Sequence, residues 1–552
     1  NSASANVAVG RDAGLAIASG TRHVAVGFEA IMSGIANNDS TAVGYRALRL
    51  ATTGELTMVG ANTGDAITTG ARHTGVGYNA LSAVSSNSDC TAVGHSAGAA
   101  VTGGNNTYIG STCGAVAVAG THNTGCGALA LDVLSSGSSN TAIGADALGV
   151  NQTGGSNTAV GRGALAACTA GDNTALGHEA GAGITSGTLN VALGRECMNT
   201  GTVTTNGSVG VGYRALRNLT AADTTAVGRE ALLALSSGTQ NTAVGAYALT
   251  SLSTNGSCTG IGYQALTLAT GANNTGVGST AGGAITSGAG NTCIGTAAGD
   301  AISTNSNLTA VGLNALGLCT AAECRAVGSG AGDAITSGTG HTAVGFNALG
   351  AQQTGSNNTA VGHTALLTAT SNNNTAVGQA ALAAITTNGQ NTAVGALAGT
   401  TATGLQNTFI GVSAGSSSTG TGNVCVGYLS ADAASFSGNA NTLVGNNSGG
   451  ALTSGATNIL IGSTAGDAIT TGSNNTIIGD YASTTTAAGN VVIANGDGSQ
   501  VIFKYDGTDW FFGDGVNSLP TNAGTKTGTV GALYVDTTGT GGVTHIVRIE
   551  AS

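Results

Sequence analysis

Asn140-Thr141-Ala142-Ile143-Gly144-Ala145-Asp146-Ala147-Leu148 is followed, seventeen residues on, by Asn157-Thr158-Ala159-Val160-Gly161-Arg162-Gly163-Ala164-Leu165. The same unit recurs from Gly10 to Gly479 as 29 copies whose core glycines stand 16 to 18 residues apart. A fixed short period sustained over most of a chain is the signature of a solenoid. With the core glycine as position zero, position −1 is Val, Ile or Leu everywhere except Cys126, position −3 is mostly Thr, and position −2 is mostly Ala. Branched, small, branched, then glycine predicts a short strand with a turn behind it. Asn at −4 suits the turn leading into that strand and predicts a stacked, hydrogen-bonded ladder.

A second segment follows, with Ala at +3 and either Leu or Gly at +4. Nine of the twelve repeats with Gly at +4 carry Val, Ile or Leu at +7, as at Ile285 and Ile335. A lost side chain matched by a gained one three residues later means that both fill one interior volume. The reading is therefore two short strands per coil. The rows Val43, Val93, Val160, Val244, Val344 and Val394, with Leu48, Leu216, Ile285 and Ile335 from the second strand, are expected to line the interior, each buried aliphatic contributing roughly 1.5–3 kcal/mol. Ala at −2 and +3 is then expected to face outward as a bare stripe, which parallel copies of the chain would cover. The fold class is all-β, a parallel β-roll or β-solenoid of about 28 coils, about 130 Å long, over residues 1–489. Position +1 tolerates Phe28, Tyr45, Tyr78, Tyr213, Arg195, Arg229, His95 and His363 alike, which reads as a solvent-facing corner.

Composition agrees with this reading and excludes others. The 552 residues include 95 glycines and one proline, and only 7% are charged. Helical enzymes need Lys- and Glu-rich amphipathic helices, and disordered chains lack the recurrent aliphatics found here. A net charge of −11 argues against nucleic-acid binding. No uninterrupted apolar run suits a membrane helix, so no membrane insertion is expected. Ten cysteines form no metal-ligand spacing and read as small apolar fillers. The eight histidines read as surface residues. Asp65, Asp300, Asp333 and Asp467 recur at +5 in Gly-Asp-Ala-Ile units, preceded by Ala in all but the first, and read as turn residues, with a glycan-cleaving carboxylate pair as the alternative. No cofactor and no metal site are expected.

The Asn-Thr-Ala-Val-Gly-x-x-Ala-Leu and Asn-Thr-Ala-Val-Gly-x-x-Ala-Gly units resemble the repeats of trimeric phage tail fibres. More distantly they are similar to the head repeats of YadA-type trimeric autotransporter adhesins. The resemblance spans roughly residues 6–483 and implies left-handed β-rolls wound as parallel homotrimers. It further implies a virion location, other tail proteins as partners, and attachment to a host-surface glycan or receptor. Two further readings stand beside it: a bacterial surface adhesin of the autotransporter class, and a capsule-degrading tailspike.

Residues 490–552 break the repeat phase. Phe503, Tyr505, Trp510, Phe511, Phe512 and Tyr534 lie there with the only lysines and the only proline. Asn-Gly-Asp-Gly and Asp-Gly-Thr separate strand-like runs, so a small β-hairpin cap is expected. It closes the edge of the last coil, and its aromatics are candidates for a receptor-contacting tip.

Overall fold

The computed structural model describes residues 5–495, apart from residues 18, 37, 117, 352–353, 386–387 and 487, together with the strand backbones of residues 501–505, 510–512, 533–536 and 546–549. The fold is all-β, with no helix among the described residues. The chain forms two compact units, residues 1–322 and 323–552. Each contains a parallel β-solenoid. Nineteen parallel strands run from Val7–Val9 to Thr309–Val311 in the first, and eleven from Arg325–Val327 to Val491–Ala494 in the second.

Successive coils stack without slip, so that Thr141, Thr158 and Thr174 are direct partners, as are Ala142, Ala159 and Ala175. Each coil is bonded to both neighbours. Thr141 N–H donates to the Asn157 carbonyl at 2.8 Å, and Gly144 N–H donates back to the Cys126 carbonyl at 2.7 Å. Glycine at position zero is dictated by this stacking. Gly144 has φ +130°, and a Cβ there would lie 2.5 Å from the carbonyl oxygen of Gly161 in the next coil.

The second segment departs from expectation. Residues after the core glycine form a turn rather than a second strand. Asp146 and Leu148, at +2 and +4, take φ values of 58° and 51°. This left-handed alternation points successive amides at opposite neighbours: Asp146 N–H donates to Ala128 O and Leu148 N–H to Ala164 O, both at 3.0 Å. A non-glycine residue in that region costs roughly 1–2 kcal/mol, and here the cost is offset because both amides are satisfied between coils.

Which face is inside also differs from expectation. Beyond the first coil Ala at −2 is buried, as are Ala147 at +3 and Leu148 at +4. Leu48, Leu216, Ile285 and Ile335 are interior as read from sequence. The valines at −1 point the other way: Val93, Val244, Val344 and Val394 are exposed, and Val43 and Val160 are half-buried. A coil with one three-residue strand encloses a thin core. The Leu and Ile that reach in from the turn side leave only alanine-sized room behind the strand, so the branched side chains must face out.

The exceptions confirm the space-filling rule. Only Gly114, Gly399 and Gly415 lack a large residue three positions later among the twelve Gly-bearing turns. Tyr108 and Phe409 replace alanine at −2 and are fully buried. A Cβ at Gly114 would overlap the Tyr108 ring, and one at Gly399 or Gly415 would overlap Phe409.

Position −4 carries the expected ladder, inside the coil. Asn140 Oδ1 accepts the amide of Asn157 at 3.0 Å, and Asn140 Nδ2 donates to the Gly154 carbonyl at 2.9 Å. The bond from side chain to next amide repeats from Asn106 to Ser208 and from Asn358 to Asn490. His23, His73 and His341 occupy this same row and are buried, which corrects their reading as surface residues. His73 shows why imidazole fits. Its Nδ1 accepts the Cys90 amide at 3.1 Å while Nε2 bonds to the Asn87 carbonyl at 2.8 Å, reproducing both arms of asparagine.

At the far end of the second unit, Val491–Ala494 pairs in parallel with Thr476–Ile478 and antiparallel with Val501–Tyr505. Trp510–Phe512 continues the antiparallel pairing, and Leu533–Asp536 pairs with Ile546–Ile549.

Candidate functional site: the outward face of the strands

Because each solenoid strand after the first buries its middle residue, its two flanking side chains stand together on the outer surface. Position −3 gives a row of threonines and position −1 a row of Val, Ile and Leu, both in coil-to-coil register. In the first unit Val59, Val76, Val93, Ile109, Ile143, Leu176, Val227, Val244, Ile261 and Ile294 are each more than a third exposed. Val327, Val344, Val377, Val394, Ile410, Ile461 and Ile478 continue the pattern in the second. Arg325, at −3 of the strand Arg325–Val327, is the lone charged residue in either row. A flat, uncharged ladder of β-branched side chains of this extent is what monomeric proteins avoid leaving bare. The stripe thought to need cover is thus present, but it is made of Thr and Val rather than Ala.

The +1 corner is the second surface feature. Residues seventeen apart in sequence land one above another, and their rings stack. Phe28 and Tyr45 lie 5.4 Å apart with planes 10° off parallel, and Tyr78 with His95 and Phe346 with His363 repeat the arrangement. Arg11 covers the other face of Phe28, and Arg46, from +2, covers Tyr45. The row of +1 residues was legible in the sequence; the contribution of +2 arginines was not, because nothing in spacing shows that the turn folds +2 back over +1.

The remaining candidates behave as structure. Nine of the ten cysteines are buried, and Cys126 is half-buried. Burial pushes the Cys113, Cys197 and Cys293 thiols up to about 12, far from thiolate chemistry. Asp65 is salt-bridged to Arg49 at 2.8 Å. Burial raises the carboxyls of Asp300 and Asp467, the latter with Asp480 as a neighbouring charge. Among the described residues no three His, Cys, Asp or Glu side chains gather in a metal-holding group, and no helix is long and apolar enough to cross a membrane.

For the C-terminal aromatics the structure gives backbone register only. Phe503 stands opposite Phe512, Lys504 opposite Phe511, and Tyr505 opposite Trp510; Tyr534 stands opposite Arg548 in the separate two-stranded sheet. Their side chains lie outside the described residues.

No protein-family profile and no curated protein matches the chain.

Proposed function

We propose that this chain is a structural protein: the shaft of a phage tail fibre, in which three parallel copies pack through their Thr and Val faces and carry the C-terminal segment toward a host-surface glycan. The observation that carries the reading is the outward ladder of branched aliphatics at −1 within each unit, broken only at Cys126 among the described repeats and set in register with a threonine-rich row at −3. A partner with the same repeat spacing offers knobs at matching intervals along the whole face, and identical chains supply that spacing automatically. Threonine methyls and valines give apolar contact, while threonine hydroxyls bond locally or to trapped water. Function on this reading is mechanical: a stiff arm holds three copies of a weak binding segment at high effective concentration. No catalytic step is assigned to it.

Light scattering and sedimentation on the full chain at nanomolar to micromolar concentration test the assembly, with a mass three times that of one chain expected. A stable single chain in dilute solution sinks the proposal. Electron microscopy of the source particle, with the chain labelled, tests the location: label on a cell envelope instead of a tail would favour the adhesin reading.

A further inference from the structure

The Arg–carboxylate pairs seen among the described residues are mostly one-to-one. Arg11 pairs with Asp12, Arg22 with Asp39, Arg46 with Glu29, Arg49 with Asp65 and Arg72 with Asp89, so each local charge cancels. One place breaks the rule. Glu196, only 11% exposed, is shared by Arg195 at 2.9 Å, Arg214 at 2.8 Å and Arg217 at 3.9 Å. Arg229 follows one coil further on, held over the Tyr247 ring at 4.5 Å, and the added carboxylates are Glu230, one coil after Arg214, and Glu179, one coil before Glu196. Four guanidiniums therefore face three carboxylates, Glu179, Glu196 and Glu230, a surplus of one positive charge on the flank of a chain whose net charge is −11.

The aromatic corner fixes these heads in place. Arg195 and Arg214 sit against the Tyr213 ring at 5.8 and 4.8 Å, which restrains their flexible stems and leaves N–H edges toward solvent, with the Arg195 side chain 62% exposed. Arg195, Arg214 and Arg229 come from successive coils, so their spacing along the axis follows the strand spacing of about 4.8 Å. A row of preorganised planar donors with surplus positive charge suits a polymer that bears a carboxylate on each or every second unit.

We propose that the flank formed by Arg195, Tyr213, Arg214, Arg217 and Arg229 binds an acidic, uronate-bearing polysaccharide laid along the solenoid axis. Nucleic acid fits less well: Tyr213 has guanidiniums against it from two arginines, leaving little bare ring for a base to stack on, and the acidic chain repels a densely charged polyphosphate. The surface is independent of the Thr and Val face, so it stands or falls separately from the shaft reading.

The test uses the full chain and immobilised polygalacturonate, with dextran sulfate, neutral dextran and single-stranded DNA as comparison ligands. Binding to polygalacturonate that weakens with salt is expected, and the double variant Arg195→Gln, Arg229→Gln should bind at least about tenfold more weakly. The control Arg22→Gln, Arg72→Gln, which removes the same charge elsewhere, should leave binding unchanged. Arg229 makes no contact with Glu196, so the single variant Arg229→Gln reports binding loss even if the double variant loosens the coil. Thermal unfolding and oligomeric mass are recorded on every sample. Absence of binding, equal binding by the double variant, or a preference for dextran sulfate, DNA or neutral dextran would overturn the proposal, whatever the oligomeric state.

Discussion

At the residue scale the −4 ladder is exacting wherever asparagine or histidine holds it, because the side chain then accepts the next amide and bonds a turn carbonyl inside a dry coil, while Leu56 and Leu308 interrupt it. Asn140→Ala removes both arms, leaving the Asn157 amide without its bond and the Gly154 carbonyl with only the one from Asn151 Nδ2. A loss of roughly 1–3 kcal/mol is expected for an unsatisfied buried group, read as local hydrogen-exchange protection at Asn157; Asn140→His should restore most of it. The histidines add pH dependence. Burial holds His73 and His341 below the usual imidazole range, chiefly through desolvation. The native state then binds protons less readily than the unfolded chain, so their stabilisation is complete above about pH 6.5. It is lost as pH falls below that value toward the lowered native pKa. Protonation at Nδ1 would also set an N–H against the Cys90 amide that it now accepts. Exchange protection at Cys90 should therefore fall between pH 7 and pH 5 in the wild type and stay flat in His73→Asn; a flat wild-type profile would refute this account.

At the scale of one coil, strand existence and bounds were plain in the sequence, since Thr-Ala-Val-Gly has one reasonable reading. The direction of the faces was not. Alternation shows that −1 and −3 share a side and −2 takes the other, and it is symmetric as to which side is inside. The deciding signal was present in the substitutions: −2 admits Met58, Tyr108, Cys293, Phe409, Leu443 and Ile477 and never a charge, while −3 admits Arg325. The second strand was over-read because left-handed Leu at +4 leaves no mark in an apolar pattern. Interior volume, by contrast, was read correctly, and it yields a test. Gly114→Ala should destabilise its coil by about 1–3 kcal/mol, through overlap with Tyr108 at a φ of +59°. In the wild-type background Tyr108→Ala should open a cavity, since position +7 of this repeat is alanine in sequence. Adding Ala117→Ile to Tyr108→Ala, with Gly114 kept, should then recover stability, because it gives the repeat the small residue at −2, Gly at +4 and Ile at +7 seen together in Ala326, Gly332 and Ile335. Urea unfolding of the three variants decides it: no recovery with isoleucine would show that the two sites do not share one volume.

At the scale of the whole molecule, the outward face must be nearly free of charge if copies of the chain meet on it, and Arg325 is the lone departure. In a parallel three-chain assembly at equal register, three Arg325 side chains converge, and their repulsion is on the order of 1 kcal/mol per pair in a water-rich setting. Arg325→Thr continues the row, since position 325 pairs directly with Thr342. The expected outcome is a higher melting temperature for the assembly, with a smaller dependence on salt than in the wild type. Val244→Asp is the converse change, placing a charge in the middle of the first unit's ladder, where Val244 is 37% exposed in the single chain. A lone solenoid would tolerate that aspartate, because it faces water; an assembled one would bury it among valines and dissociate at concentrations where the wild type holds together. Sedimentation of the two variants beside the wild type separates the cases. If Arg325→Thr lowers assembly stability, or if Val244→Asp leaves the mass unchanged, the Thr and Val face is not where copies of this chain meet.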